Sequence, residues 1–311
     1  MDTGSYLPLL FPLLAVPLVR LACRHLHPAA ASWLTAVSAG VLAIGTAVTL
    51  TLFTVAGLTG LSIVADLGRL STSALDNADI TNLPVDATAA ALLLATCVAG
   101  AVAATRRIAV LTKVRDLAGP DDELIVINDD HPIAHALPGR PGRIVVSTGI
   151  LAGLDPTERR ALLAHERAHL DRSHHLFVAV VDVFAAANPL LHPLRKLVRY
   201  TTERWADELA AHEVGSRSTV AKAVGKAALA TKDARPHAPL ALAAAAGEVP
   251  RRVAALLTAP PASRLRQILT SPTGLLAVAA IALTVASAGF AIEAAGDLHQ
   301  ILALAHFPGP R

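Results

Sequence analysis

The sequence predicts a mainly α-helical, polytopic membrane protein with four transmembrane helices and a cytoplasmic α+β domain built around a small β-sheet. Three observations carry this. Of 311 residues, 53% are hydrophobic and only 16% charged, outside the usual range of soluble domains. Four stretches are apolar and long enough to cross a bilayer, which takes about 20 residues. Between the third and fourth lies a region of mixed polarity, long enough to bury a core of its own.

The spans run approximately from Tyr6 to Cys23, Trp33 to Leu58, Val85 to Thr105 and Thr273 to Ile292. Pro8, Pro12 and Pro17 predict a kinked first span. No charged segment precedes it, so it reads as a retained span rather than a signal peptide. Arg20 and Arg24 follow span one. Asp66, Asp76, Asp79 and Asp86 stand against a lone Arg69 between spans two and three. Arg106, Arg107, Lys113 and Arg115 follow span three, and Arg251, Arg252, Arg264 and Arg266 precede span four, beyond which only Arg311 is basic. The positive-inside rule then places both termini outside. The chain divides into a three-helix membrane region at 1–105, a cytoplasmic domain at 106–272, and a last span with a short external tail at 273–311.

The cytoplasmic domain opens with a helix through Arg115. L-I-V-I at 124–127 and R-I-V-V-S at 143–147 read as strands, separated by a Gly- and Pro-rich turn region. The free edge of a strand there can hold an extended peptide by backbone pairing, and the 143–147 strand is the expected platform. D-P-T-E at 155–158 then starts a helix, with Asp155 as N-cap, Pro156 in the first turn and Glu158 capping back.

Two to three turns into that helix stands L-L-A-H-E-R-A-H-L, which contains H-E-x-x-H. His165 and His169, four apart, point the same way and can share one metal ion. Glu166 sits beside that face, placed to take a proton from a metal-activated water. With 13 histidines in the chain, chance yields such a motif only in roughly a few per cent of cases, so its context decides. Zn²⁺ held by two histidines needs a third protein ligand. T-T-E-R-W-A-D-E-L-A-A-H-E-V-G at 201–215 reads as a second helix, capped by Thr201 or Thr202 and stopped by Gly215. Glu203 is the third ligand it offers. Asp207, on the same face, is placed to orient a ligand histidine through its other ring nitrogen. Glu208 and Glu213 read as solvated surface acids. The apolar stretch at 176–194 conflicts with this site if it crosses the membrane once, because Glu203 and His165 would then lie on opposite sides. It must be buried, interfacial, or re-entrant with its bend at Asn188-Pro189.

Other residues read more plainly. Cys23 and Cys97 are small buried hydrophobes, which excludes a disulfide scaffold or a cysteine zinc site. A net charge of +3 implies no direct nucleic-acid binding. His174 and His175 face solvent or cap the helix end, His131 and His135 lie in a loop, His25 and His27 lie at the interface, and His299 and His306 fall in a mobile tail. Tyr200 and Arg204 are the candidates to stabilise an oxyanion.

I-V-V-S-T-G-I-L-A-G-L, H-E-R-A-H-L, E-R-W-A-D and R-V-A-A-L-L together resemble the M56 metallopeptidases, the BlaR1/MecR1-type membrane proteins. A-L-P-G and E-x-x-A-D also resemble the neighbouring M48 family of HtpX and CAAX-prenyl proteases. The likeness spans about His131 to Leu257. It implies a gluzincin zinc peptidase domain in which His165, His169 and Glu203 bind zinc and Glu166 is the base. It further implies a peptide or protein substrate, first a winged-helix transcriptional repressor cut in a signalling response, or alternatively membrane proteins under quality control. A non-catalytic zinc-containing scaffold is the reading from another class, and a homodimer is compatible with the sequence. No S-x-x-K occurs and little chain follows span four, so the penicillin-binding sensor of antibiotic-sensing relatives is not expected. A signal is expected from the 59–84 loop, a partner or the membrane.

Overall fold

The computed structural model describes residues 3–61, 63–64, 82–116, 123–139, 141–234, 239–259 and 272–305. Among them are four helices long and apolar enough to cross a membrane, as a multi-pass membrane protein requires. They are α1 (Leu7–Ala22), α2 (Pro28–Thr59), α3 (Leu83–Asp116) and the last helix, α10 (Pro272–Ala305). Helix α1 runs uninterrupted through Pro12 and Pro17. The last helix extends well past the expected span, so His299 lies on a helix rather than in a tail. Asp66, Arg69, Asp76, Asp79, Arg264, Arg266, His306 and Arg311, used in the orientation and tail readings, lie outside the described residues.

The sheet has three strands, β1 (Leu124–Ile127), β2 (Ala134–Leu137) and β3 (Arg143–Ser147), in the order β1-β3-β2. Strand β3 pairs parallel with β1 and antiparallel with β2. This corrects one expectation: with both edges of β3 taken, the 143–147 strand cannot receive a peptide. The edge strands are β1 and β2, and the one beside the histidine motif is β2, whose A-H-A-L lacks the β-branched signal and falls within the expected turn region.

A short α4 (Thr148–Ala152) leads to α5 (Pro156–Asp171), which carries the histidine motif. Its start is as expected: the Asp155 side chain accepts from Thr157 and Glu158 backbone N–H groups, and Glu158 caps back. Ser173, at φ 50°, turns the chain sharply into α6 (His174–Ala187). After a 3₁₀ turn at Pro189–Leu191, α7 (His192–Val214) returns. Helix α7 thus starts well before the expected T-T-E, and Thr201 and Thr202 are internal, their hydroxyls donating back to the Val198 carbonyl. Gly215, at φ 76°, ends it in the left-handed region that glycine tolerates. Then come α8 (Arg217–Ala234) and α9 (Pro239–Leu257).

The 176–194 segment is a helical hairpin buried against the long helices, not a single span. Helix α6, at 14 residues, is too short to span, and the chain turns back at Asn188-Pro189. Val181, Ala185, Leu191, Leu194 and Val198 share one core with Val16, Val19, Leu42 and Ala280 of the long helices. Gly40 lets Phe184 approach α2: a Cβ there would meet the ring at 3.2 Å. At the tip, Asn188 Nδ2 donates to Thr46 Oγ1 (3.1 Å), near the middle of α2. Nearer the start of α2, Ser32 Oγ donates to Thr201 Oγ1 (3.0 Å). On α6, six residues or about 9 Å of helix before the tip, buried Asp182 accepts from Arg107, Arg195 and Arg199. A carboxylate placed so deep needs this compensation, and the four side chains form a belt of charge across α3, α6 and α7.

Cys23 is buried as expected, but Cys97 is exposed on α3. A second core joins Ala161 and Ala164 of α5 to Ala210, Val220 and Leu256 of the following helices, fixing α5 against α7.

Candidate active site

Helices α5 and α7 bring His165, His169 and Glu203 together. The two Nε2 atoms lie 3.2 Å apart, and those of His165 and His169 lie 3.4 and 3.5 Å from the Glu203 carboxylate oxygens. Ligands about 2.05 Å from a tetrahedral zinc ion stand about 3.3 Å from one another. The donor set therefore fits zinc in spacing as well as in chemistry, with two nitrogens and one carboxylate oxygen converging.

Around the ligands stands a tight supporting shell. Asp207, fully buried, places Oδ1 3.1 Å from His165 Nδ1. Arg252 of α9 holds Asp207 with two hydrogen bonds, Nε to Oδ2 (2.8 Å) and Nη2 to Oδ1 (2.7 Å), and sets Nη1 2.8 Å from Glu203 Oε2. In the sequence Arg252 stands out only in a positive flank and in R-V-A-A-L-L. Its place at the site depends on how α9 packs, which the sequence does not display.

His174 corrects another expectation. It is buried, with Nδ1 3.1 Å from His169 Nδ1, and its ring packs on Trp205. The left-handed turn at Ser173 folds it back. Since His169 offers Nε2 to the ligand cluster, its Nδ1–H is free to donate to His174, the arrangement that fixes a ligand ring's orientation. His175 lines the same cleft, part-exposed. Glu208 is likewise no solvated acid: it is mostly buried and pairs with Arg204 and Arg217. Glu213 does remain on the surface, beside Arg167.

Electrostatics follow from this shell. Burial alone would lower the His165 pKa, but the Asp207 and Glu203 carboxylates carry it up to about 10. Burial, with His165 beside it, pushes His169 down to about 4. Burial would raise Glu203, yet Arg252 and the histidines hold it far below the usual carboxylate range. Glu166 goes the other way: burial raises it, only partly offset by His165. A carboxylate with a raised pKa is the better proton acceptor.

These groups line a cleft of about 770 Å³. One wall is β2, including His135, which lies on the strand rather than in a loop, and Ala136, whose backbone N–H lies near Glu166 and offsets a little of its raised pKa. The opposite wall includes Arg107, Val178 and Arg199, so the cleft reaches down to the charge belt. Tyr200 and Arg204 do not line it. Tyr200 lies under Arg251, Arg204 pairs with Glu208, and both face another cavity. His131 is bound to Asp129.

Fold and site together define a membrane zinc metallopeptidase. Residues 103–185 match Peptidase family M48. The match takes in the sheet and the histidine motif and stops before Glu203, whose membership of the cluster rests on geometry. It bears out the M48 side of the resemblance. No curated protein and no solved structure matches the chain.

Proposed function

We propose that this endopeptidase cuts extended segments of protein chains presented at the cytoplasmic face of the bilayer. The observation that supports this most is the convergence of three zinc-spaced ligand atoms in a cleft walled by the edge strand β2. His165, His169 and Glu203 are the zinc ligands. Zinc held there supplies a Lewis acid that polarises the scissile carbonyl and acidifies water. Glu166 is the general base: it takes the proton of the attacking water and delivers it to the leaving amine. Asp207 orients His165. The substrate lies extended along the outer edge of β2, since no further strand covers that edge among the described residues.

The orientation with both termini outside and the three-part division at 105/106 and 272/273 belong to this reading, supported by Arg20 and Arg24 after the first apolar stretch and Arg106 and Arg107 after the third. Two substrate readings follow. The M56-like motifs favour a winged-helix repressor cut in a signalling response. The M48 match, with a cleft reaching the charge belt, favours quality control of membrane proteins.

Zinc content and proteolysis of the purified protein, wild type beside Glu166→Gln, test the chemistry. The expected result is zinc in both and a loss of about 10²-fold or more in rate in the variant. Equal rates would remove Glu166 from the base role, and a wild type without zinc would overturn the site. One defined product from a substrate mixture supports regulatory cleavage; many support quality control.

A further inference from the structure

A second cavity, of about 510 Å³, lies where α1 ends and α2 begins. Arg20 and Arg24 enter it from α1 and the following turn, Lys196 and Arg204 from α7, and Arg251 from α9. Glu248 is the one acid lining it among the described residues. Arg204 is neutralised by Glu208 (2.9 Å). Arg20, Arg24 and Lys196 are exposed and have no ion-pair partner among the described residues. Arg251 is held by the Tyr200 ring, 4.6 Å from its centroid, which leaves its N–H groups for another acceptor.

Four cations from three distant parts of the chain thus converge with one acid among them. An anion among such gathered cations offsets their mutual repulsion, and guanidinium groups match a phosphate in shape as well as in charge. Location narrows the anion. The candidate spans that end at Ala22 and begin at Pro28 both meet this cavity, which sets it at the level of the lipid headgroups whichever way the chain faces. Leu26 and Leu197 add apolar lining beside the charges.

We propose that this cavity binds the phosphate of an anionic phospholipid headgroup, held by Arg20, Arg24, Lys196 and Arg251. The site is separate from the zinc ligands, but α9 joins the two: Glu248 lines both cavities, and Arg251 adjoins Arg252.

The test is native mass spectrometry of the full chain from detergent micelles doped with equal phosphatidylcholine and phosphatidylglycerol. Wild type is expected to retain phosphatidylglycerol selectively. Arg24→Gln, Lys196→Gln and Arg251→Gln are each expected to lower that retention about fivefold, while Arg160→Gln, an exposed cation far from the cavity, leaves it unchanged. Equal retention of both lipids, or selectivity that survives all three substitutions together, overturns the proposal. So does displacement of the lipid by soluble sn-glycerol 3-phosphate at matching concentration, which would mark a soluble phosphate as the ligand. Preference for a poly-glutamate peptide over the lipid would overturn it as well. Retained zinc in each variant confirms that the fold is intact.

Discussion

Nη1 of Arg252 lies 2.8 Å from Oε2 of Glu203, the same oxygen that stands 3.4 Å from Nε2 of His165. One guanidinium therefore fixes the carboxylate of the cluster and, through Asp207, the imidazole opposite it. The arrangement positions two of three ligand side chains from a helix that contributes no ligand itself.

Arg252→Lys keeps a positive charge but loses the fork that spans Asp207 and Glu203. Zinc affinity is expected to fall about 10- to 100-fold, read by competition with a chromogenic chelator. Arg252→Ala also strands the buried Asp207, so a destabilisation of about 3–5 kcal/mol is expected, measured by thermal unfolding with zinc in excess. Unchanged zinc affinity in both variants would remove Arg252 from the site.

His174→Phe fills the space beside Trp205 but cannot accept from His169. A drop of about tenfold in zinc affinity is expected, with His174→Gln recovering part of it through a side-chain acceptor. If Phe and Gln behave alike, His174 serves only packing.

Ala136→Pro deletes the backbone N–H beside Glu166 and spoils backbone pairing on the outer edge of β2. Proteolysis should fall at least about tenfold while zinc content stays at wild-type level. Full activity would place the substrate elsewhere in the cleft.

Asp182→Asn leaves Arg107, Arg195 and Arg199 around a neutral amide. Asp182 is 3% exposed while the arginines are 38–45% exposed, so solvent screens part of the penalty. A loss of about 1–3 kcal/mol is expected, seen as a lower unfolding midpoint in detergent. A midpoint equal to wild type would show the belt to be electrostatically idle.

Asp155 titrates below the usual carboxylate range, chiefly through the Thr157 hydroxyl and then the Glu158 N–H. A lowered native pKa gives stability that is present above the unfolded value, near 3.9, and fades as pH falls through the native one. Asp155→Asn preserves the cap and removes that dependence. The gap between the two unfolding midpoints should narrow as pH drops from about 5 to 3, and a constant gap would contradict the assignment.

Much of this was legible because the signals are local. The D-P-T-E cap, the four-residue spacing of His165 and His169, and Glu203 with Asp207 on one face are all set by helical periodicity. The missed features depend on packing between distant segments. Strand β2 exists because β3 offers it an edge, not because A-H-A-L favours extension. His174 is buried because Ser173 reverses the chain, and Arg252 meets Asp207 because α9 lies against α7. The start of α7 was hidden by Pro193, which reads as a breaker but is tolerated in a first turn.

The hairpin of α6 and α7 is moored at two heights on α2, by Asn188 on Thr46 and by Thr201 on Ser32. Glu203, two residues beyond Thr201, is thereby held at a fixed height along α2, itself a candidate span. Under the proposed function, that fixed height would make the enzyme a ruler. An extended chain advances about 3.3 Å per residue, so in a membrane-held substrate a bond would be cut only when enough residues separate it from the last point at which the membrane holds the chain. Stretches pinned closer would be spared whatever their sequence, and the count of spacer residues, rather than side-chain identity, would become the first criterion of selection.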